Sequence, residues 1–262
     1  MKRVCVLTGG SSGIGKATAQ LLANNGFTVY ELSRNGADAD GIRHITADVT
    51  DAEQVKAAIA SVVAAEGQID LLVNNAGFGI SGAVEFTDPK EAFSQLNVNF
   101  FGSLHCIQAV LPQMRAQKSG HIVNISSVAA PIAIPFQAFY SATKSATNSL
   151  TLALRNEVKP FGVKACAILP GDVKTGFTAA RKKSCAGAEV YGVAIDRAVA
   201  VMEHDEQNGM PPELVAKAVL RAANAKNPQA YYTVGLQYQV FVLLAKLLPA
   251  SWTNTLVGMI YK

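Results

Sequence analysis

Short apolar runs alternate along the chain with longer stretches whose apolar residues recur every three or four positions. The runs read as β-strands at Val4–Leu7, Phe27–Leu32, Arg43–Ala47, Ile69–Val73, His121–Ser126, Val163–Leu169 and Ala230–Val234. The periodic stretches read as helices. One runs from the glycine turn through Ala17, Leu21 and Leu22 to Asn25-Gly26, and others cover Asp51–Glu66, Pro89–Gln117, Gln137–Val158, Ala194–Glu206 and Pro212–Asn224. Asp51 is placed to cap its helix and Gly67 to end it. Pro112 is expected to kink the long helix or end its regular part, because it lacks an N–H and its ring crowds the preceding turn. Val4-Cys-Val-Leu7 is apolar at successive positions, the mark of a strand covered on both faces. Strands alternating with helices imply right-handed crossovers. The expected fold is therefore α/β, one doubly wound parallel sheet of about seven strands with helices on both faces. No repeat or linker divides residues 1–262, so a single domain is expected.

Beyond the last strand, residues 236–262 carry Val240, Phe241, Leu243, Leu244, Leu247 and Leu248 at helical spacing, then Pro249 and a second apolar piece. Such a stripe serves as core or subunit contact, or as a flap that faces lipid or covers a substrate. Its longest apolar run, Val240–Ala245, is far short of a bilayer span, and Met1-Lys-Arg3 leads straight into a strand without a signal-peptide pattern. A soluble, cytoplasmic protein is expected, with peripheral membrane contact through the tail left open.

Composition narrows the classes. Half of the 262 residues are hydrophobic and 16% are charged, which suits a large two-sided core. The net charge is +4, and the one basic cluster, Arg181-Lys-Lys183, reads as a solvated loop. Nucleic-acid binding is not expected. Cys5, Cys106, Cys166 and Cys185 show no CxxC or Cys/His ligand spacing, and Cys5 and Cys166 sit in strand runs as small core residues. That usage fits a reducing compartment. His44, His105, His121 and His204 are scattered, so no metal site is expected.

Candidate chemistry concentrates at strand ends. The first strand runs into Thr8-Gly-Gly-Ser-Ser-Gly-Ile-Gly15 and then a helix, the context of a phosphate-cradling loop. Glycines let the backbone approach an anion, and the helix start offers free N–H groups and a positive dipole end. Tyr140 and Lys144 stand four apart in a helical stretch, so both project from one face. An ammonium beside a phenol lowers a pKa that starts near ~10, bringing it toward neutral pH, where it can exchange a proton.

Further residues fall into order with these. Thr8-Gly9-x-x-x-Gly13-x-Gly15 is followed by Asp48-Val49 after the third strand, Asn74-Asn-Ala-Gly77 after the fourth, and Asn97-Val-Asn-Phe-Phe-Gly102. Ser127 ends the fifth long strand, Tyr140 and Lys144 follow, and Pro170-Gly-Asp-Val-Lys-Thr175 ends the sixth. On these motifs the chain resembles the short-chain dehydrogenase/reductase family over residues 3 to 235, notably its hydroxysteroid dehydrogenase and carbonyl reductase members. The resemblance implies a Rossmann-type sheet and hydride transfer between a nicotinamide cofactor and a carbonyl or alcohol carbon. It implies Tyr140 as general acid in reduction and base in oxidation, with Lys144 lowering its pKa and bonding the nicotinamide ribose. Ser127 is implied to donate to the substrate oxygen, and Asn99 to hold a water linking Lys144 to solvent. The implied cofactor site comprises Thr8, Gly9, Ser11, Ser12, Gly13, Ile14, Gly15, Ser33, Arg34, Asp48, Val49, Asn75, Ala76, Gly77, Tyr140, Lys144, Pro170, Gly171, Val173 and Thr175.

The cofactor is expected to be NADP(H). NAD-preferring relatives end the second strand with an acid, whereas here Ser33 and Arg34 stand there, a hydroxyl and a guanidinium suited to a 2′-phosphate. Glu31 complicates this, since strand alternation gives it the direction of Ser33. The substrate is expected to be a bulky apolar ketone or alcohol, a hydroxysteroid or a long-chain lipid ketone. The segment from Asp172 to Met210 offers Phe177, Val190, Tyr191, Val193 and Ile195, and Val128–Phe136 is almost wholly apolar, with Pro131 and Pro135 stiffening it. Relatives commonly pair through the helix that here spans Ser141–Ala153, which implies a homodimer or homotetramer. The alternative is an NADP(H)-binding regulator that has lost catalysis; the intact Asn99, Ser127, Tyr140 and Lys144 argue against it.

Overall fold

The computed structural model describes residues 2–261, so the first residue of the expected domain and the last of the tail lie outside the described residues. In chain order the elements are β1 (Arg3–Thr8), α1 (Gly13–Asn24), β2 (Phe27–Ser33), β3 (Ile42–Thr46), α2 (Ala52–Glu66), β4 (Leu71–Asn74), β5 (Ile80–Ser81), α3 (Pro89–Leu96), α4 (Gly102–Gln117) and β6 (Gly120–Ile125). They continue with α5 (Ala138–Glu157), β7 (Val163–Pro170), α6 (Phe177–Ala180), β8 (Lys182–Lys183), α7 (Ala188–Tyr191), α8 (Ala194–Gln207), α9 (Pro212–Asn224), β9 (Tyr231–Val234), α10 (Leu236–Leu247) and α11 (Ala250–Ile260).

Seven strands form one parallel sheet in the order β3-β2-β1-β4-β6-β7-β9. Two cores cover it. On one face Val55, Ile59 and Val62 of α2 join Ile107, Val110 and Met114 of α4 and Leu154 of α5. On the other, Ala19 and Leu22 of α1 meet Val215, Val219 and Ala222 of α9. This accounts for the continuous apolar runs, since each central strand must satisfy both cores. Asp51 caps α2 by accepting from Glu53 N and Gln54 N, and Gly67 ends it in the left-handed region.

The long helix breaks at a different place from the one expected. A π turn over Asn97–Phe101 separates α3 from α4, and α4 then runs through Pro112 to Gln117. Pro112 and Gln108, whose carbonyl its ring deprives of a partner, both lie on the exposed side of α4. Water can satisfy that carbonyl, so the helix continues. A small parallel pair, β5 with β8, was not legible from the short polar stretch that forms it. Among the described residues no helix is long and apolar enough to cross a membrane.

Candidate active site

β1 and β4 lie side by side where the strand order reverses, and the crevice beyond their ends is a cleft of about 660 Å³. One end of it is a backbone cradle. Gly9 and Gly13 adopt φ of +68° and +51°, and a Cβ on Gly15 would lie 2.1 Å from the Gly9 carbonyl oxygen. The glycines therefore allow the turn to fold tightly onto α1. Ser12, the N-cap of α1, makes no side-chain hydrogen bond to the first turn, so no side-chain cap competes for those N–H groups at the cleft wall. Thr8 Oγ1 accepts from Asn75 N and Ala76 N, both at 3.1 Å, while the Asn75 amide donates to Thr8 O at 3.1 Å and Gly9 O at 3.0 Å. This cradle fits the pyrophosphate of a dinucleotide.

Ser33 ends β2 and Arg34 follows it, and Asp48 and Val49 follow β3, all on the wall of the same cleft. Glu31 is absent from that wall. Its buried carboxylate accepts from Gly10 N at 2.8 Å and lies 2.6 Å from His44 Nδ1. It braces the glycine turn from beneath and leaves the mouth to the Ser33 hydroxyl and the exposed Arg34.

At the other end stands α5, whose buried face is rich in threonine. Thr143, Thr147 and Thr151 donate to the carbonyls of Tyr140, Thr143 and Thr147 at 2.8, 2.9 and 2.7 Å, so the helix buries hydroxyls that are all satisfied. Tyr140 and Lys144 project from it into the cleft. The Lys144 Nζ donates to Ile125 O at 2.7 Å and lies 5.6 Å from the Tyr140 ring centroid. Ser127 Oγ accepts from Ala129 N at 3.0 Å and lines the cleft together with Tyr140.

Burial pushes the Tyr140 phenol up to about 12, opposed first by the neighbouring Ser127 hydroxyl, and then raised by Glu206, lowered by Arg181 and raised by Asp172. Burial likewise pulls Lys144 down to about 8. The expected lowering of Tyr140 by Lys144 is thus not what governs the phenol here. Lys144 is itself desolvated and held by the Ile125 carbonyl, and burial outweighs it.

Asn99 sits in the π turn, but its amide does not reach toward Lys144. Oδ1 accepts from Phe78 N at 3.0 Å, and Nδ2 donates to Phe78 O at 3.0 Å and Thr143 Oγ1 at 3.3 Å. It ties the segment after β4 to α5. Of the catalytic and cofactor residues selected from sequence, Thr8, Gly15 and Asn99 are absent from the cleft wall and the others line it. Of the substrate residues Phe177 lines it, whereas Val190 and Val193 face solvent, Tyr191 packs on Phe86 and Phe136, and Ile195 is buried with Ala83 and Val199.

Three charged residues were missed. Asp172 lines the cleft and accepts from the Tyr238 hydroxyl at 2.6 Å. Glu206 accepts from Thr178 Oγ1 at 2.6 Å and pairs with Arg181, whose side chain is fully buried. Arg181-Lys-Lys183 is therefore not a solvated loop: its first residue is a buried ion-pair partner and the other two form β8. The pair joins α6 to α8, and Phe177 of α6 packs on Tyr140 with ring centroids 5.6 Å apart. No local pattern signals this, because the carboxylate arrives from a later helix. A second, apolar cavity of about 910 Å³ lies under α10 and α11 and shares Val128, Ala129, Ile134 and Asp172 with the cleft.

The model of the short chain dehydrogenase family matches residues 3–186. A 3-ketodihydrosphingosine reductase from Bacteroides thetaiotaomicron is 39% identical over 253 residues, 95% of this chain and 93% of its own. Among solved structures, a short-chain dehydrogenase from Streptomyces avermitilis aligns with a TM-score of 0.83 at 31% identity, covering 98% of both chains. ElxO with NADP bound aligns at 0.76 with 28% identity over 92% of this chain and all of its own. A short-chain dehydrogenase/reductase from Burkholderia phymatum in complex with NAD aligns at 0.80 with 25% identity over 93% of this chain and 92% of its own.

Proposed function

This chain belongs to the short-chain dehydrogenase/reductase family, a family of oxidoreductases acting between CH–OH and C=O, and from that premise we propose that it is an NADP(H)-dependent reductase of a long-chain lipid ketone. The observation that carries the reading is the junction of the two cavities. Ser127, Tyr140 and Lys144 line a cleft that meets a more strongly apolar space across Val128, Ala129 and Ile134. A carbonyl can thus sit at Tyr140 while an alkyl chain runs under α10 and α11. The 3-ketodihydrosphingosine reductase likeness favours a lipid ketone over a hydroxysteroid.

The glycine turn, Asn75–Gly77 and the residues after β2 and β3 would hold the cofactor, which when bound supplies the hydride. The chain's own residues manage the oxygen. Ser127 donates a hydrogen bond to the carbonyl oxygen, and the Tyr140 hydroxyl gives it a proton as negative charge develops. Reduction suits this phenol, since burial pushes its pKa up to about 12 and it keeps its proton at neutral pH. Lys144, held by Ile125 O, supplies positive charge near the Tyr140 ring and would hold the ribose of the bound cofactor. Arg34 and Ser33 would take the 2′-phosphate, and Glu31, engaged with Gly10 and His44, does not oppose it.

Steady-state kinetics on ketones of increasing alkyl length, with NADPH and with NADH, test this. The expected result is a kcat/KM that rises with chain length and is higher with NADPH. A preference for NADH, or for short aldehydes, would contradict it.

A further inference from the structure

α10 and α11 are apolar on two sides at once. Toward the protein, Tyr238, Phe241, Val257 and Ile260 line the cavity of about 910 Å³. Toward solvent, α10 exposes Leu236, Val240, Leu243 and Leu247, and α11 exposes Trp252, Leu256 and Met259, in each case at successive turns of one face. Leu247 is 71% exposed and Trp252 63%. A helix apolar around most of its circumference needs a second apolar surface to cover it.

Charge distinguishes the candidates for that surface. From residue 214 to the last residue of the sequence there is no Asp or Glu, while Lys217, Arg221, Lys226, Lys246 and Lys262 fall in that stretch. Lys246 is exposed on α10 itself. A second copy seated face to face would bring Lys246 toward its own equivalent, with no carboxylate on α10 or α11 to offset it. An anionic bilayer offers the apolar layer and the opposite charge together. An exposed tryptophan beside leucines also fits the headgroup boundary, where its ring is apolar and its N–H stays wet.

We propose that α10 and α11 lay their outer faces on an anionic phospholipid surface, so that the cavity beneath them opens toward the lipid. Leu236, Leu256 and Met259 are both exposed and part of the cavity lining, so its rim is continuous with the docking face. The docking rests on these helices alone; the use of the opening for substrate entry rests on the reductase reading above.

Trp252 is the single tryptophan of the sequence, so its emission reports on this face. With vesicles of equal parts phosphatidylglycerol and phosphatidylcholine, the wild-type protein is expected to shift its emission to the blue and to sediment with the lipid. The L243E/L247E variant changes exposed leucines outside the cavity lining. It is expected to bind vesicles about tenfold more weakly and to reduce a short water-soluble ketone as the wild type does. No shift and no co-sedimentation of the wild type would overturn the proposal, and equal binding to pure phosphatidylcholine would overturn its charge component. A blue shift that grows with protein concentration in lipid-free buffer, with doubled mass by light scattering, would make the occupant a second copy and overturn it too. Vesicle binding with no ketone reduced by either protein would instead count against the reductase reading and leave the docking standing.

Discussion

Lys144 holds a proton in a place that resists it. Burial lowers its pKa from 10.5 to about 8, while the unfolded chain restores the ordinary value. Between about pH 8 and 10.5 the unfolded state therefore binds more protons, and the stability of the cofactor-free protein gains with rising pH across that window. Below it the buried ammonium costs on the order of 3 kcal/mol. Lys144→Met removes that cost, so its melting temperature relative to wild type should be highest at neutral pH and fall as the pH is raised through 8 to 10. A difference that stays constant with pH would show that the ammonium is not desolvated. Arg34 makes the second residue-scale prediction. Losing a charge-assisted contact of about 1.5–3 kcal/mol should lower kcat/KM for NADPH by about tenfold to a hundredfold in Arg34→Ala, with NADH little changed. Equal losses with both cofactors would assign Arg34 a role other than the 2′-phosphate.

Elements depend on partners that sequence shows unevenly. Glu31 on β2 supports the turn between β1 and α1 by accepting from Gly10 N and meeting His44 on β3. Glu31→Ala leaves a buried donor unsatisfied and should destabilise by about 1–3 kcal/mol, read as a lowered urea midpoint, with Glu31→Gln recovering part of the loss. A variant as stable as wild type would mean that the turn holds itself. The helix limits set by Asp51 and Gly67 were legible because capping is local, with both partners within a turn. Pro112 does not end α4, because its effect depends on which side of the helix faces water. Arg181 was misjudged because Glu206, which buries it, belongs to α8. Alternation placed Glu31 on the side of Ser33 but could not show that Gly10 and His44 would occupy its carboxylate.

Across the whole molecule, the parallel sheet was legible because strand order and glycine punctuation repeat along the entire chain, and the site was legible wherever its residues end strands. Thr8, Asn74, Ser127 and Pro170 sit at or just beyond the ends of neighbouring strands, so their order in sequence becomes an order in space. What was not legible is how the last two helices close over the apolar cavity beside the cleft, because Tyr238 reaches Asp172 and Gly171 only once α10 has folded back after β9. The proposed function joins these levels: a cofactor cradle at one end, a proton donor at the other and an apolar space for the substrate beyond. Its central claim is that the Tyr140 hydroxyl supplies the proton. The most direct measurement is NADPH oxidation followed at 340 nm with a long-chain ketone, for wild type and Tyr140→Phe, alongside a fluorescence titration of NADPH binding. The account predicts alcohol formed in step with NADPH lost by the wild type, and a rate lower by about 100-fold or more in Tyr140→Phe with cofactor binding retained. A Tyr140→Phe enzyme turning over at the wild-type rate would contradict it.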